Sequence, residues 1–394
     1  MSDFLKDQIS KTIRHGVARA QSLVDAGNVD EALTLCNYIL ARDFTAAGAN
    51  IIVMRIAMAN GHWDEALAHG ESALRTRPAY ETGEFATGLD VGYHEVADDH
   101  EHICRTIMAE QTDSPILQAT MHYHLGVADH ARGRLDDARS HYESVLALRA
   151  DAYYVTGQVL NLLAALEHQS GNPAESLRWL DLDTFPLELE PMGTVGGTVA
   201  EAFNEALFDE VMNSPKLAFW QESQSEQWYI APELNDAAAG PCVTKLETEF
   251  RRLADANIEK FCGPSPAAGH PSFANRPAPY DLQMFSAVLK GPGHVGPHVH
   301  SEAFLVGNYY VRVPEEPDDA PEGAGCIEYG KHLYSSATGM DYRRRRFDPK
   351  AGTMLMWPAY FSHATIPSTA PGTRMVVGFD VVAKGAKGTY TSKA

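Results

Sequence analysis

The chain has 394 residues, of which 44% are hydrophobic and 21% charged, enough apolar sequence for the cores of two or three domains. Its 32 Lys and Arg residues stand against 52 Asp and Glu residues, so the formal net charge is −20. This balance argues against a nucleic-acid-binding protein, which needs a basic surface, and against an anionic membrane as a partner. No apolar segment is long enough to predict a membrane-spanning helix.

The cysteines and the N-terminal residues bear on the cellular compartment. The five cysteines are widely spaced and form no Cys-x-x-Cys pair. An odd number of scattered cysteines argues against a disulfide framework. The N-terminal residues are polar and amphipathic and lack the apolar core of a signal peptide. These features predict a cytoplasmic protein.

A short phrase recurs through the first half of the chain, which is rich in helix-forming residues. It reads GNVDEAL from Gly27, GHWDEAL from Gly61, GRLDDAR from Gly133 and GNPAESL from Gly171, and a degenerate copy, ADDHEHI, begins at Ala97. A spacing of about 34 to 38 residues, with glycine in the turn and a small residue five positions later, resembles tetratricopeptide repeats. Such repeats stack into a solenoid whose concave groove binds peptides or proteins. We therefore predict a tetratricopeptide-like helical domain over residues 1–190.

The composition changes after this region. Proline and glycine residues between Pro186 and Gly197 predict a linker, and residues 191–279 are interpreted as connecting helices and a loop. From residue 280 to 394, short segments rich in β-branched and aromatic residues lie between glycine, proline and aspartate residues. Short strands without intervening helices predict a sandwich, barrel or jelly roll. The fold class is thus a multidomain α+β protein, an α-solenoid followed by a β domain.

Three histidines of the β region could bind a metal. Side chains at positions i and i+2 of an extended chain project from one face, so His298 and His300 can share an ion, and His363 lies further along the chain. Such a set on a small β-barrel is typical of non-haem Fe(II) oxygenases, whose usual third donor is a carboxylate. The alternative is a chance cluster, because the chain has 17 histidines. His100 and His102 have the same spacing on a predicted helix, where such side chains diverge, and we expect them to be solvated.

The residues around these histidines carry a longer pattern. It runs through GHVGPHVHSEAFLVGNYYVRVPEE, GCIEYGKH and DPKAGTMLMWPAYFSHATIPSTAPGTRMVVGFDVV. This pattern resembles the 2-oxoglutarate/Fe(II) oxygenases, whose members often carry N-terminal tetratricopeptide repeats. The residues that match in order are Pro297, His298, His300, Leu305, Gly307, Tyr309, Tyr310, Val311, Ile327, Glu328, Gly330, Gly352, Pro358, His363 and Arg374. The resemblance implies a double-stranded β-helix, of the jelly-roll or cupin-like kind, from about residue 280 to residue 382.

The resemblance also implies roles for particular residues. It assigns Fe(II) to His298, His300 and His363, and the distal carboxylate of the cosubstrate 2-oxoglutarate to Arg374, with dioxygen as the second cosubstrate. A rival set uses His300, Glu302 and His363, which restores a carboxylate donor. Arg374 lies in an apolar strand and needs an anionic partner, because a buried charge is costly alone. The alternative partner is a protein acid such as Asp380.

Three features of the pattern leave questions open. Val306 stands where the family usually has serine, a difference that bears on the cosubstrate or substrate pocket. Asn308 stands where a β-branched residue is common. Tyr309 and Tyr310 point to opposite faces of one strand, and the sequence does not decide which one faces the pocket. The run Arg343–Arg346 is interpreted as a solvated face, with attraction of an acidic substrate as the alternative.

Together these observations predict a 2-oxoglutarate- and Fe(II)-dependent dioxygenase. It is expected to hydroxylate a side chain of a peptide or protein that the repeat domain recruits. Two alternatives remain. One is a three-histidine cupin-type dioxygenase that does not use 2-oxoglutarate, and the other is a non-catalytic repeat scaffold with a degenerate jelly roll.

Overall fold

The computed structural model describes residues 3–44, 46–75, 93–110, 114–148, 153–222, 225–230, 234–236, 238–262, 279–300, 303–330 and 343–384. These residues fall into two compact units, one up to residue 148 and one from residue 153 onward. The boundaries drawn from the sequence at residues 190 and 279 remain a prediction about which parts fold independently. Among the described helices, none combines the length and apolarity needed to cross a membrane.

The first unit consists of helices. They are α1 (Asp3–Asp25), α2 (Val29–Leu40), α3 (Ala47–Ala59), α4 (Trp63–Arg75), α5 (Tyr93–Glu110), α6 (Pro115–Ala131) and α7 (Leu135–Leu148). Gly27, Gly61 and Gly133 lie in the turns of three helix pairs and have φ angles of 80°, 71° and 74°. Only glycine adopts this left-handed conformation without strain, and it closes the preceding helix at the C′ position.

The backbone hydrogen bonds of these turns repeat from pair to pair. The residue after each glycine donates to a carbonyl five positions earlier, as Asn28 does to Leu23 at 2.8 Å and Arg134 does to Asp129 at 2.9 Å. The small residues five positions after the glycines, Ala32, Ala66 and Ala138, are fully buried. The predicted helical repeats are thus confirmed in the structure of their turns.

Helix α5 differs from the prediction in two ways. The degenerate copy that begins at Ala97 lies inside this helix, so it does not form a turn between helices. His102 is exposed as expected, but His100 is only 3% exposed, and neither of its ring nitrogens has a hydrogen-bond partner among the described residues. Burial, together with neighbouring His124, lowers the pKa of His100 to about 3. The expectation that both side chains are solvated is therefore wrong for His100.

The second unit begins with another helix pair and continues into two sheets. Its elements are α8 (Tyr153–Gln169), α9 (Pro173–Trp179), β1 (Leu187–Leu189), α10 (Thr198–Met212), β2 (Ala218–Glu222), β3 (Ser225–Ile230), α11 (Pro241–Cys262), β4 (Tyr280–Lys290), β5 (Ala303–Arg312), β6 (Ile327–Tyr329), β7 (Arg345–Phe347), β8 (Met354–Pro358), β9 (His363–Thr365) and β10 (Thr373–Ala383). Gly171, with φ 77°, forms the turn between α8 and α9, as in the other repeats.

The strands form two antiparallel sheets, which confirms the predicted double-stranded β-helix class. The larger sheet has the order β1-β8-β5-β10-β4-β3-β2, and the smaller has the order β7-β6-β9. Strands β1, β2 and β3 were not predicted from the sequence. Leu187–Leu189 pairs with β8, so part of the stretch interpreted as a linker is a strand.

The central strands β4, β5 and β10 have two different faces. On one face Phe379 packs against Phe250 of α11, with ring centroids 4.6 Å apart. On the same side the Tyr309 hydroxyl donates to Asn204 of α10 at 2.6 Å. The opposite face carries Tyr310, Val376 and the other inward-pointing residues of these strands, and it lines the pocket described next. Tyr310, and not Tyr309, therefore faces the pocket.

Candidate metal centre

Backbone pairing brings three histidines that are distant in sequence to one place. The amide of His298 donates to the carbonyl of His363 at 3.0 Å, and the amide of His363 donates back at 3.1 Å. The amide of His300 donates to the carbonyl of Ala359 at 3.1 Å. One potential ligand nitrogen from each histidine lies within 4.8 Å of the other two. The structure thus brings together the three residues that the sequence predicted as ligands.

Each of the three imidazoles is oriented by a hydrogen bond at Nδ1. The acceptors are the Gly296 carbonyl for His298 at 2.9 Å and the Phe361 carbonyl for His363 at 3.0 Å. For His300 the acceptor is the carboxylate of Asp380 at 2.8 Å. Carbonyl and carboxylate oxygens only accept, so Nδ1 carries the proton and Nε2 carries the lone pair in all three rings. This tautomer suits metal binding, and a set of neutral imidazoles fits Fe(II).

Asp380 has a different partner from the one that the sequence suggested. It was considered as a partner for Arg374, but its carboxylate is paired with His300, and both side chains are 2% exposed. Asp380 is also opposite Val306 in the ladder between β5 and β10. In the sequence, Asp380 stands out as an acidic residue in an otherwise apolar strand. That His300 is its partner follows only from the three-dimensional structure.

Burial controls the protonation of the third histidine. Burial first, and then the neighbouring His298 and His300, lower the pKa of His363 well below its usual value. Its ring lies 4.8 Å from Trp357 and 5.9 Å from Tyr329, measured between centroids. The aromatic surroundings therefore favour a neutral imidazole, which is the form that binds a metal.

Arg374 lies on the inner face of β10 and borders the same pocket as the three histidines. It is 6% exposed, and its guanidinium carbon is 5.3 Å from the centroid of the Tyr310 ring. Burial raises the pKa of the Tyr310 hydroxyl, and the charge of Arg374 and a hydrogen bond to it offset only part of that rise. The guanidinium donates to the carbonyl of Gly325, and no carboxylate of the described residues lies within ion-pair distance. A buried cation of this kind fits the carboxylate of a small ligand.

Asn308 brings a polar group into the pocket between the histidines and Arg374. Its Oδ1 atom is buried without a hydrogen-bond partner. Gly378 is opposite Asn308 in the ladder, and a Cβ atom there would lie 2.4 Å from this oxygen and 2.3 Å from the ring of Phe285. Asn308 thus stands where the family commonly has a β-branched residue. Its side-chain amide fits only because Gly378, the residue opposite, has no Cβ atom.

The arginine run has a structural role. Arg344 and Arg346 pair with Glu328, which is 3% exposed, and Arg343 pairs with Asp183. Arg345 donates to the carbonyls of Leu182, Asp183 and Phe185. Arg343, Arg344 and Arg346 are exposed, as the solvated interpretation predicts, and their guanidinium groups also hold the turn after α9 and a buried glutamate. Glu302, of the rival ligand set, lies outside the described residues.

Comparison with known proteins identifies the type of domain. Residues 283–380 match the family model described as "Putative 2OG-Fe(II) oxygenase", and residues 13–36 and 121–144 match a model of the tetratricopeptide repeat. No curated protein matches the chain.

Solved structures of similar proteins include three oxygenases. A prolyl-4-hydroxylase from Pseudomonas putida is 12% identical, with 52% of this chain and 96% of that chain covered and a TM-score of 0.35. HygX from Streptomyces hygroscopicus, with nickel and 2-oxoglutarate bound, is 12% identical, with coverages of 53% and 87% and a TM-score of 0.35. A prolyl hydroxylase from Trichoplax adhaerens, in complex with a peptide fragment of hypoxia inducible factor, is 10% identical, with coverages of 61% and 94% and a TM-score of 0.33.

The family match falls on the segment that carries the three histidines and Arg374. The chain therefore contains a 2-oxoglutarate/Fe(II) oxygenase domain that follows tetratricopeptide repeats. It is an enzyme of the oxygenase class, with Fe(II) as the metal and with 2-oxoglutarate and dioxygen as cosubstrates.

Proposed function

We propose that this enzyme hydroxylates a side chain of a peptide or protein, with His298, His300 and His363 as the iron ligands and Arg374 as the 2-oxoglutarate-binding residue. The observation that carries the proposal is the combination in one pocket of three Nδ1-anchored imidazoles and a buried arginine. The imidazoles present three nitrogen lone pairs close to one another, and Arg374 has no carboxylate partner among the described residues. A metal chelated by a small dicarboxylate satisfies both.

The three histidines would hold the metal through Nε2, and their Nδ1 hydrogen bonds would keep the rings in place. Asp380 has a particular part in this arrangement, because its carboxylate accepts a charged hydrogen bond from His300 Nδ1 and fixes the orientation of the ring. The two carbonyl acceptors, at Gly296 and Phe361, orient the other rings without adding charge. The protein thus places one carboxylate next to the ligand set, although the set itself contains only imidazoles.

Arg374 and Tyr310 would hold the far end of 2-oxoglutarate. A guanidinium binds both oxygens of a carboxylate at once, and the Tyr310 hydroxyl beside it adds a further donor. Asn308 precedes Tyr310 by two residues on the same face of β5, which corresponds to about 7 Å along a strand. That interval is comparable to the length of the cosubstrate, so the Asn308 amide would lie beside its metal-proximal end.

Iron with bound 2-oxoglutarate supplies the oxidising chemistry, in which one oxygen atom of O2 enters succinate as CO2 leaves and the other enters a C–H bond of the substrate. The residues of this chain prepare the site for it. Phe285, Leu289, Val295 and Ile327 form apolar walls of the pocket. Such walls keep bulk water away from the reacting atoms and strengthen the hydrogen bonds and charges inside.

The tetratricopeptide repeats support a macromolecular substrate. Stacked helix pairs of this kind form extended surfaces that bind peptides, and they add no chemistry of their own. A substrate recruited in this way would be held by the repeats while one of its side chains reaches the oxygenase domain. Which atom is hydroxylated would then depend on the side chain that this substrate presents to the oxygenase domain.

The proposal is tested by titrating Fe(II) and then 2-oxoglutarate into the metal-free protein under nitrogen. A visible metal-to-ligand charge-transfer band is expected only when both are present. The variant His363→Ala should fold but lose stoichiometric iron binding, because two remaining ligands hold iron weakly. The variant Glu302→Ala should keep iron, whereas the rival ligand set requires that it lose it.

Two other results would contradict the proposal. Iron binding without any 2-oxoglutarate binding would favour the three-histidine dioxygenase that needs no such cosubstrate. Binding of neither iron nor 2-oxoglutarate by the parent protein would favour a repeat scaffold without catalytic activity.

A further inference from the structure

Helix α8 contacts the loop that directly precedes His363. Asn161 of this helix is 2% exposed, and its Nδ2 donates to the carbonyl of Tyr360 at 2.6 Å. Its Oδ1 accepts from the backbone amide of Ser362 at 3.2 Å. One side-chain amide thus pairs with two backbone groups of the loop, on either side of Phe361, as a neighbouring strand would.

The surrounding contacts keep the helix and the loop close together. A Cβ atom on Gly157 would lie 3.2 Å from the Cβ atom of Tyr360, so glycine permits this approach. The Tyr360 hydroxyl donates to the carbonyl of Trp179, at the end of α9, at 2.9 Å. From the other direction, the amide of Gly330 donates to the carbonyl of Ser362 at 2.9 Å. The loop is therefore held by the helix pair α8–α9 and by the residue that follows β6.

The choice of asparagine at position 161 is informative. Asparagine is a weak helix former, and a buried amide costs free energy unless its hydrogen bonds are made. Asn257 of α11 is also buried, but its side chain makes the ordinary bond to the carbonyl four residues earlier, that of Leu253, at 2.8 Å. Asn161 makes this same bond, to Gly157 at 2.8 Å, and adds the two bonds to the loop. The two loop bonds are thus the feature that separates it from a buried helical asparagine in general.

We propose that Asn161 is a positioning residue for the metal centre and acts on His363 through the backbone of Tyr360 and Ser362. The proposal rests on the proposed function, because it requires His363 to be a metal ligand. A residue from the last helix pair of the repeats is then part of what sets the geometry of the oxygenase site. Loss of the two loop bonds should leave the ring of His363 present but less well placed.

The test uses the full chain and Co(II) as the probe, since Co(II) reports its coordination in the visible spectrum. The variants are Asn161→Ala, which removes both loop bonds, and Asn161→Asp, which keeps an acceptor for Ser362 but loses the donor to Tyr360. Asn257→Ala is the matched control, because it removes a buried helical asparagine that lacks bonds to the loop. Outer contacts of metal ligands typically change metal affinity by about 10- to 100-fold. We expect that loss, with altered Co(II) bands, in the Asn161 variants only.

Hydrogen exchange in the metal-free protein gives a second readout. The backbone amide of Ser362 should exchange faster in both Asn161 variants than in the parent and in Asn257→Ala. Parent-like Co(II) affinity and spectrum in the folded Asn161 variants would overturn the proposal, and Asn161→Asp decides it if Asn161→Ala does not fold. If instead His363→Ala keeps full Co(II) occupancy, the ligand assignment itself is wrong, and the positioning role is overturned with it.

Discussion

Asp380 and His300 form a buried pair in which the carboxylate accepts from Nδ1 at 2.8 Å, with each side chain 2% exposed. Asp380 lies on β10 and His300 lies just before β5, so the pair joins two central strands of the large sheet to the metal centre. A buried carboxylate is costly without a strong partner. The pair therefore anchors the ring of His300, which is a metal ligand in the proposed function.

The first prediction concerns this pair. Asp380→Asn keeps an oxygen acceptor of similar shape but removes the negative charge, so the hydrogen bond that orients the His300 ring becomes weaker. Iron affinity should fall by about 10- to 100-fold, as is typical when the outer partner of a ligating histidine is changed. Isothermal titration with Fe(II) under nitrogen measures this directly. Asp209→Asn, at an exposed position of α10, is the control, and an equal affinity in both variants would contradict the role of Asp380.

The second prediction concerns Gly378. Alanine there would place a Cβ atom 2.3 Å from the Phe285 ring and 2.4 Å from Asn308 Oδ1, so both side chains must move into the pocket. Overpacking of this kind typically costs about 1–3 kcal/mol of stability. We expect weaker 2-oxoglutarate binding in addition, measured by titration of the metal-loaded protein. Parent-like stability and 2-oxoglutarate affinity in Gly378→Ala would contradict the close packing of Phe285 and Asn308 against this position.

The sequence predicted the parts of this molecule that depend on local patterns. The repeat glycines are visible because a left-handed residue must end each helix, and His298 and His300 are visible because residues two apart in an extended chain share a face. Their partners are less visible. Asp380 meets His300 across 80 residues of sequence, and Asn161 meets Tyr360 across 199. Such pairs depend on strand register and helix packing, which no local pattern encodes.

The partner of Arg344 and Arg346 could not be predicted from the sequence either. Four adjacent arginines in a chain of net charge −20 are usually solvated, and the sequence offers no sign of a buried acid near them. In the structure Glu328 is the buried acid, placed by the pairing of β6 with β7. A strand of three residues is too short to be recognised reliably, so the register that pairs Arg346 with Glu328 could not be predicted.

The third prediction concerns the start of the oxygenase unit. A fragment of residues 152–394 keeps the bond from Asn161 to Tyr360, the bond from Tyr360 to Trp179 and those from Arg345 to the turn after α9. A fragment of residues 190–394 loses all of them, together with strand β1. We expect the longer fragment to be folded and to bind Fe(II), and the shorter to be molten or insoluble. A cooperative thermal transition and iron binding in the shorter fragment would instead support the boundary predicted at residue 190.

The fourth prediction concerns acid sensitivity. The pKa of His100 is lowered to about 3 by burial and by His124, whereas an unfolded histidine has a pKa near 6.5. Between these values the unfolded chain binds a proton that the folded chain does not, so stability falls as the pH drops below about 6.5. At pH 5.5, proton binding to His100 in the unfolded chain lowers the free energy of unfolding by about 1.4 kcal/mol. At pH 7.5 the same effect is close to zero.

Replacing the residue tests this assignment. In His100→Leu the loss of stability between pH 7.5 and 5.5, measured by urea denaturation of the first unit's helices, should be smaller than in the parent by about 1.4 kcal/mol. His102→Leu, at the exposed neighbouring position, should leave the pH dependence as it is. An unchanged slope in His100→Leu would mean that His100 keeps an ordinary pKa in the folded protein.

The last prediction concerns Arg374 and distinguishes between classes of enzyme. Its guanidinium is buried beside Tyr310 and has no carboxylate partner among the described residues, so 2-oxoglutarate would supply the missing charge. Truncating one member of a buried, hydrogen-bonded charge pair typically costs about 2–5 kcal/mol. Arg374→Ala should therefore weaken 2-oxoglutarate binding by roughly 30-fold to several thousand-fold, at about 1.4 kcal/mol per factor of ten.

Two comparisons make this result specific to the cosubstrate. Arg374→Lys should recover only part of the affinity, because lysine keeps the charge but cannot bind both oxygens of a carboxylate in a fork. Iron binding should be the same in the parent and in both variants, since Arg374 contributes no ligand atom to the histidine group. The measurement is a 2-oxoglutarate titration of the Fe(II) protein under nitrogen, followed by the charge-transfer band. Equal 2-oxoglutarate affinity in the parent and in Arg374→Ala would exclude the cosubstrate role and require another anion for this buried cation.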